Sequence, residues 1–497
     1  MLKNNFFLGI FLLNVLIFLT SIIKGYAQTE IDFNTVVATF KADQALKHSS
    51  WALYIKNADT KKELYSVNPE LALSPASTQK VITTSVALEL LGELYQYRTY
   101  LAYTGKIEEG VLKGNLIIKG SGDPSLESEN FVTDKNENKT FEHILSALKK
   151  KGIDQIDGSI VADVNTFDNA ITPNNWLWTD IGNYYGSGPS ALSYKDNKVK
   201  VYFKSGSKQG DSTYIVKTVP TVDNLKYYNE VLTGVPGSGD NAYFYGAEFQ
   251  NFRIVKGTIP PNKESFVVES SMPDAALYMV QELKKYFKLK NISVSGESVT
   301  SRILGTYGIV NKEPLVLIDS IVSPPLKDII HFTNLKSVNL YAEHLLKTLS
   351  LIKTKTGNDI DGIRIIEQKM KDCSIDIGGM KLHDGSGLSP VNKLTVKQQC
   401  NLLCYMADRP SFNTLLASLP IAGKTGSLST MFKGTKAEGN LKAKSGYIGG
   451  VRAYTGYFTS VKGQRIAFSF IVNNYDCTST EIKKKMELLM TAMVNAF

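Results

Sequence analysis

The stretch IAGKTGSLSTMFKGTKAEGNLKAKSGYIGGVRAYTGYF, Ile421 to Phe458, contains one kind of triplet twice: Lys424-Thr425-Gly426 and Lys444-Ser445-Gly446 are both Lys-Ser/Thr-Gly. Lys204-Ser205-Gly206 and Lys355-Thr356-Gly357 match as well, so in a chain rich in these residues a single copy carries little information. Context separates them. The strand predicted for Lys442 to Tyr447 runs through Gly449-Gly450 into Arg452 to Thr459, and Lys462-Gly463 leads on to Arg465 to Val472, which together predict an antiparallel meander. Lys424 is instead followed by a polar, glycine-dotted stretch, Phe432 to Asn440, that reads as loop. A lysine and a hydroxyl on a strand edge can line a cleft whose backbone binds an extended substrate as an added strand. Lys444-Ser445-Gly446 therefore carries the chemical reading.

A partner for it lies far upstream. Trp51 to Lys56 and Glu63 to Val67, around Ala58-Asp59-Thr60, read as a hairpin that follows a helix over Ile31 to His48. In LSPASTQKVITTSVALELLGEL, Ser74 can cap and Pro75 can open a helix on which Val81, Ile82, Val86, Leu90 and Leu94 recur at helical spacing. Ser77 then falls in the first turn, with Lys80 three residues on along the same face. Acyl transfer needs a nucleophile, a group to take its proton, a relay to the leaving nitrogen and donors for the oxyanion. A buried lysine near a helix N-terminus has its ammonium form disfavoured and can serve as the base. The bland alternative is a capping serine beside a solvated lysine. Ser337-Val338-Asn339, a tight turn between helices at Leu326 to Thr333 and from Leu340 onward, offers a hydroxyl and an amide together; alone it reads equally as an N-cap and a loop asparagine. Ser-x-x-Lys, Ser-x-Asn and Lys-Ser-Gly in this order form the set used by active-site serine enzymes that open β-lactams and D-Ala-D-Ala peptides, whereas no Gly-x-Ser-x-Gly elbow occurs.

Composition bounds the rest. A chain of 497 residues, 43% hydrophobic and 21% charged, suffices for two or three domains. The net charge of +9 comes without a dense Lys/Arg block, which argues against nucleic acid and fits solubility or attraction to an anionic cell envelope. The first residues hold Lys3, an apolar run from Phe6 to Ile23 and then Gly25-Tyr26-Ala27, the layout of an export signal cut after Ala27 or of an uncleaved anchor. Cys400 and Cys404, one helical turn apart, read as buried apolar fillers, and Cys373 and Cys477 complete the set. The five scattered histidines make no metal-binding spacing, so neither metal nor organic cofactor is expected. From Tyr97 to about Val322 short strands and Gly/Asn turns predominate, with one clear helix at Pro273 to Phe287, which predicts β-rich inserted domains.

LSPASTQKVITT, SVNLYAEHLLKTL, HDGSGLSPVNKLT and KAKSGYIGGVRAYTGY together resemble the D-alanyl-D-alanine carboxypeptidase family of class C low-molecular-mass penicillin-binding proteins. Ala422 to Leu428 is similar to that family's A-G-x-D-G-T-L motif, departing at x-D with Lys424-Thr425, and Val338 stands where many relatives carry Asp. LKGNLIIKGSGDPSL, IDGSIVADVNTFD and NNWLWTDIGNYYGSGPSALSYKDN extend the likeness through the middle of the chain. The resemblance implies an α/β (α+β) penicillin-recognising serine transpeptidase/β-lactamase-like domain, an antiparallel sheet flanked by helices, over 28–95 and 315–497. It implies an inserted domain over 96–170 and 260–314 and a second, nested one over 171–259. The implied activity is a periplasmic or extracellular DD-carboxypeptidase, or additionally a DD-endopeptidase, on peptidoglycan stem peptides, with β-lactams as covalent inhibitors. Ser77 would be nucleophile, Lys80 base, Ser337 proton relay and Asn339 amide holder. Lys444 and Ser445, with Gly446 beside them, would bind the terminal carboxylate, and the N–H groups of Ser77 and Tyr447 the oxyanion. Asp163 and Phe167 would recognise the diamino acid side chain, the alternative being that the insertion only stabilises the protein or docks it to partners. A catalytically silent cell-wall binding protein and a β-lactamase, whose usual scaffold is far shorter, are the alternatives.

Overall fold

The computed structural model describes residues 32–132, 138–310 and 313–497. The segment read as an export signal, 1–27, lies outside the described residues, and among the described residues no helix is long and apolar enough to cross a membrane. The three C-terminal strands, Lys442–Ile448, Val451–Thr459 and Arg465–Asn473, join the N-terminal hairpin, Ser50–Asn57 and Glu63–Val67, in one five-stranded antiparallel sheet in that spatial order. The two ends of the chain meet in its middle, with Trp51 opposite Val472 and Ile55 opposite Phe468. Successive side chains leave opposite faces of a strand. Ala52, Tyr54, Ala467 and Ile471 accordingly pack under a layer of helices, while Leu53, Ile55, Phe468 and Phe470 face the helices Phe33–Ala42 and Ser479–Ala496. The expected mixed α/β architecture, an antiparallel sheet between helical layers, is the one observed.

Local differences have local causes. The first helix is shorter than its apolar pattern suggests: it stops at Ala42 because Asp43 turns to extended backbone and its carboxylate accepts from the Ala45 N–H at 2.9 Å, which starts a separate short 3-10 turn. Ser74 does not cap a helix. Its backbone N–H donates to Asn473 Oδ1 at 2.8 Å, and the left-handed backbone of Ala76 (φ 46°) sets Ala76–Gln79 as a 3-10 turn ahead of the helix Lys80–Leu91.

The middle of the chain forms two tiers. Ser298–Thr300, Ile160–Asp163, Leu116–Lys119, Arg98–Tyr103 and Val316–Val322 make a five-stranded sheet, beside a small four-stranded one. The nested tier holds two three-stranded sheets, Tyr214–Val219 with Lys198–Lys204 and Phe266–Ser271, and Lys226–Thr233 with Phe252–Ile259 and Asn241–Tyr245. Two returns come later than the sequence boundaries placed them. Phe266–Ser271 pairs with Lys198–Lys204 and so belongs with the nested tier, and Val316–Val322 pairs with Arg98–Tyr103 and so belongs with the insertion. A strand's pattern marks its faces but not its neighbour, so the partner, and with it the boundary, is invisible until pairing is seen.

The helix Asn339–Thr354 joins the two halves. Its residues 339–350 are all buried, with Leu345, Leu346 and Leu349 in the core that also holds Ala52, Tyr54, Ala467 and Ile471. On its other side His344 bonds to Ser193 Oγ and donates from Nδ1 to the Gly122 carbonyl, each at 2.8 Å, and burial pushes the ring's pKa down to about 3, so it stays neutral. Lys347, completely buried, bonds to the Asp168 carboxylate and to the Ala170 carbonyl. Whatever sits at this helix's N-terminus is therefore held by both halves.

Candidate active site

Ser77 lies in the 3-10 turn and Lys80 opens the following helix, so i and i+3 share a face. Lys80 Nζ stands 3.0 Å from Ser77 Oγ, 2.6 Å from Asn339 Oδ1 and 2.7 Å from the Ser386 carbonyl. Two of these neighbours can only accept. A neutral amine satisfies them with its two N–H bonds and is left with a lone pair facing the Ser77 hydroxyl. Lys80 is fully buried, and that desolvation, opposed by the charges of Asp384 and Glu343, pushes its pKa down to about 7.

Ser337 has a left-handed backbone (φ 60°) between the helices Leu326–Leu335 and Asn339–Thr354, a conformation rare outside glycine and concentrated at functional sites. Its hydroxyl accepts from Lys444 Nζ at 2.9 Å, and Lys444 also donates to the Ser445 carbonyl at 2.7 Å. Burial, and then the nearby Lys80, hold the Lys444 pKa well below the ordinary lysine value. Gly446 follows because the strand crosses directly over the nucleophile turn. A Cβ there would lie 2.6 Å from the Pro75 carbonyl oxygen and 3.1 Å from the Ser77 nitrogen, so no side chain fits. Ser77, Ser337, Asn339 and Tyr447 line a cleft of about 900 Å³.

The cleft's other wall comes from the insertion, through Asp180, Tyr184, Tyr185, Asp240, Tyr243 and Glu269. Asn339 Nδ2 donates to the Tyr185 carbonyl at 2.8 Å. Because a carbonyl only accepts, this contact directs the amide oxygen of Asn339 toward Lys80. Trp176 Nε1 donates to Asp384 Oδ2 at 2.9 Å, a second link from the insertion to the site's supports.

Asp163 and Phe167 are not brought to this cleft. The Asp163 carboxylate faces Lys119 at 3.9 Å and accepts from the Asn165 N–H at 3.1 Å, while Phe167, 3% exposed, packs on the His344 ring at 5.7 Å between centroids. Phe167 is a core side chain because the chain turns inward after Ile160–Asp163, which four residues of sequence do not reveal. Lys424 is exposed, with its Nζ beside Gly439.

The structure adds residues that the sequence reading did not assign. Glu343, fully buried one helical turn after Asn339, accepts from the N–H groups of Gly385 and Ser386, each at 2.8 Å. It thereby fixes the turn whose Ser386 carbonyl holds Lys80. Burial, reinforced by Asp384, pushes the Glu343 carboxyl well above the usual range, and the two backbone donors oppose this. Asp384, also fully buried, accepts from Gln79 Nε2, Trp176 Nε1, Asn392 Nδ2 and the N–H groups of Gly387 and Ser389. An acid in a largely apolar helix run, YAEHLL, was the available signal for Glu343.

The chain is similar to known proteins over most of its length. Residues 33–493 match the model of the D-Ala-D-Ala carboxypeptidase 3 (S13) family. The chain is 25% identical to the D-alanyl-D-alanine carboxypeptidase DacB of Haemophilus influenzae over 86% of each chain. It is 26% identical to a D-alanyl-D-alanine carboxypeptidase of Actinomadura sp. (strain R39), over 87% of this chain and 79% of that one. The crystal structure of penicillin binding protein 4 (dacB) from H. influenzae superposes with a TM-score of 0.76 at 24% identity, over 92% of this chain and 98% of that one.

Proposed function

The chain belongs to the D-Ala-D-Ala carboxypeptidase 3 (S13) family and is a serine-type D-Ala-D-Ala carboxypeptidase, and we propose that it trims peptidoglycan stem peptides outside the cytoplasm through an acyl-enzyme on Ser77. The observation that carries this reading is the position of Lys80, whose amine faces the Ser77 hydroxyl while two carbonyl oxygens take its N–H bonds. Ser77 Oγ attacks the carbonyl between the two D-alanines as its proton passes to Lys80. The developing oxyanion rests on the N–H groups of Ser77 and Tyr447. Asn339 holds the substrate amide, and Lys444 with Ser445 binds the terminal carboxylate. The C–N bond breaks as Ser337, hydrogen-bonded to Lys444, passes a proton to the leaving amine and takes in its place the proton held by Lys80, which returns to its neutral form. Water, with Lys80 again as base, then hydrolyses the ester and releases the shortened peptide. β-Lactams acylate the same serine in this reading, in keeping with the β-lactam complex solved for the H. influenzae relative.

DD-endopeptidase action on cross-links is the second reading, favoured by the cleft's continuation. Past Glu129, Asp196 and Lys198 it runs on into a further recess of about 530 Å³, room for a substrate longer than a single stem peptide. Digesting purified peptidoglycan and weighing the products tests both readings. Release of D-alanine supports the carboxypeptidase, conversion of dimeric to monomeric peptides supports the endopeptidase, and neither product refutes both. Labelling by a fluorescent penicillin separates them from a catalytically silent wall-binding protein.

The lysine base has a pH signature. Its pKa is lowered from the ordinary 10.5 to about 7, so Lys80 is neutral above that value and protonated below it. Acylation by a penicillin should be level in mild alkali and fall roughly tenfold per pH unit below about 7. A rate that stays flat down to pH 5 would exclude Lys80 as the base.

A further inference from the structure

The first triplet of the opening stretch lies outside the strand, yet the residue that follows it reaches the second. Ile421 bridges to Lys442, the Ala443 N–H donates to the Pro420 carbonyl at 3.0 Å, and the Ala422 N–H donates to the Leu441 carbonyl at 2.9 Å. These bonds dock the 421–428 segment along the start of the Lys442–Ile448 strand. The Thr425 hydroxyl is used within the segment, accepting from the Ile421 N–H at 3.0 Å. The short 3-10 turn Gly426–Leu428 then presents Ser427, which is exposed, with its Oγ 2.7 Å from Ser445 Oγ. Ser445 is only partly buried, and beside it Lys444 reaches Ser337.

We propose that Ser427 is a substrate-binding residue, the second hydroxyl of the pocket that takes the terminal carboxylate of the peptide. This rests on the carboxypeptidase reading and goes beyond it. A carboxylate has two oxygens and about four acceptor positions, more than Ser445 alone can fill. Two hydroxyls that share one hydrogen bond leave one proton uncommitted, and both can turn to an incoming anion at the loss of that single bond. The pair lies at the surface, so a substrate end can reach it without opening the fold. Lys444 is buried with its ammonium form disfavoured, so neutral hydroxyl donors beside it share the task of meeting the anion.

The test compares ligands with and without the carboxylate. For an N-acyl-D-Ala-D-Ala peptide, Ser427→Ala should raise KM roughly tenfold, the scale of one hydrogen bond to a charged group, with kcat within about twofold and Ser427→Thr close to the parent. Acylation by benzylpenicillin should slow in Ser427→Ala by a similar factor, while acylation by its methyl ester should not change. Equal losses with acid and ester mean that Ser427 only props the strand, and no loss with the acid means that it does not touch the carboxylate. Either result overturns the assignment. A parent chain that takes up penicillin but leaves the peptide intact overturns the carboxypeptidase reading, and this residue's role in it falls at the same time.

Discussion

Ser77→Ala should take up no penicillin and hydrolyse D-Ala-D-Ala peptides at least about 10⁴-fold more slowly than the parent, while melting within a few degrees of it. The large effect on chemistry follows from the loss of the proposed nucleophile. The small effect on stability follows from where the turn gets its shape. Ala76 takes the left-handed backbone, Gly446 lies against Pro75 and Ser77, and Lys80 keeps Asn339 and Ser386 as partners when the hydroxyl is gone. Intact mass after incubation with penicillin reads the first claim, and peptide mapping of the labelled parent should return the Ser74 to Lys80 region. Label on Ser386 or Ser427 instead would overturn the nucleophile assignment. Ser386 is fully buried, and the Ser427 hydroxyl is bonded to another hydroxyl, that of Ser445, rather than to a lysine.

Lys444→Ala should lower kcat/KM for the peptide by roughly 10² or more, whereas Lys424→Ala should stay within about twofold of the parent. The two lysines head identical kinds of triplet, so the comparison isolates position from composition. Lys444 is fully buried and bonded to Ser337, the group assigned to protonate the leaving amine, so its removal takes away a carboxylate partner and frees the relay together. Lys424 is exposed on the turn segment, with its Nζ beside Gly439. Because Lys444→Ala also leaves a cavity, melting and circular dichroism must accompany the kinetics, and Lys444→Met fills the space without restoring the charge. If the two lysines exchanged behaviour, the strand would not be the carboxylate-binding edge.

Much of the architecture was legible because it is written in local patterns. The alternation around Ala58-Asp59-Thr60 and Gly449-Gly450 marks hairpins, and the helical spacing after Pro75 marks the helix that carries Lys80. The choice between the twin triplets needed only the contrast between a strand on one side and a glycine-dotted loop on the other. Errors arose where a local preference met a distant constraint. Ser74 is a good helix cap by type, but the left-handed backbone of Ala76 puts a 3-10 turn ahead of the helix, and the Ser74 hydroxyl meets no N–H there. Asp163 and Phe167 have the right chemistry for an ammonium with an aliphatic stem, and folding sets them beside Lys119 and His344, neighbours that the local sequence does not show.

The sequence by itself determined which residue types were present for acyl transfer, their order, and the strand and helix on which they ride. It could not assign the conditions that let them react. Lys80 is suited to the proposed role of base because folding buries it and because Asn339 and Ser386, 259 and 306 positions away, accept its N–H bonds. Glu343 and Asp384 matter because folding buries them beside that amine, and Tyr185 because an inserted segment lays its carbonyl against Asn339. Ser427 meets Ser445 only when two segments of the C-terminal part dock side by side. Each of these depends on desolvation and on contacts between residues far apart in the chain. Both arise when the chain closes on itself, and no short-range pattern encodes either.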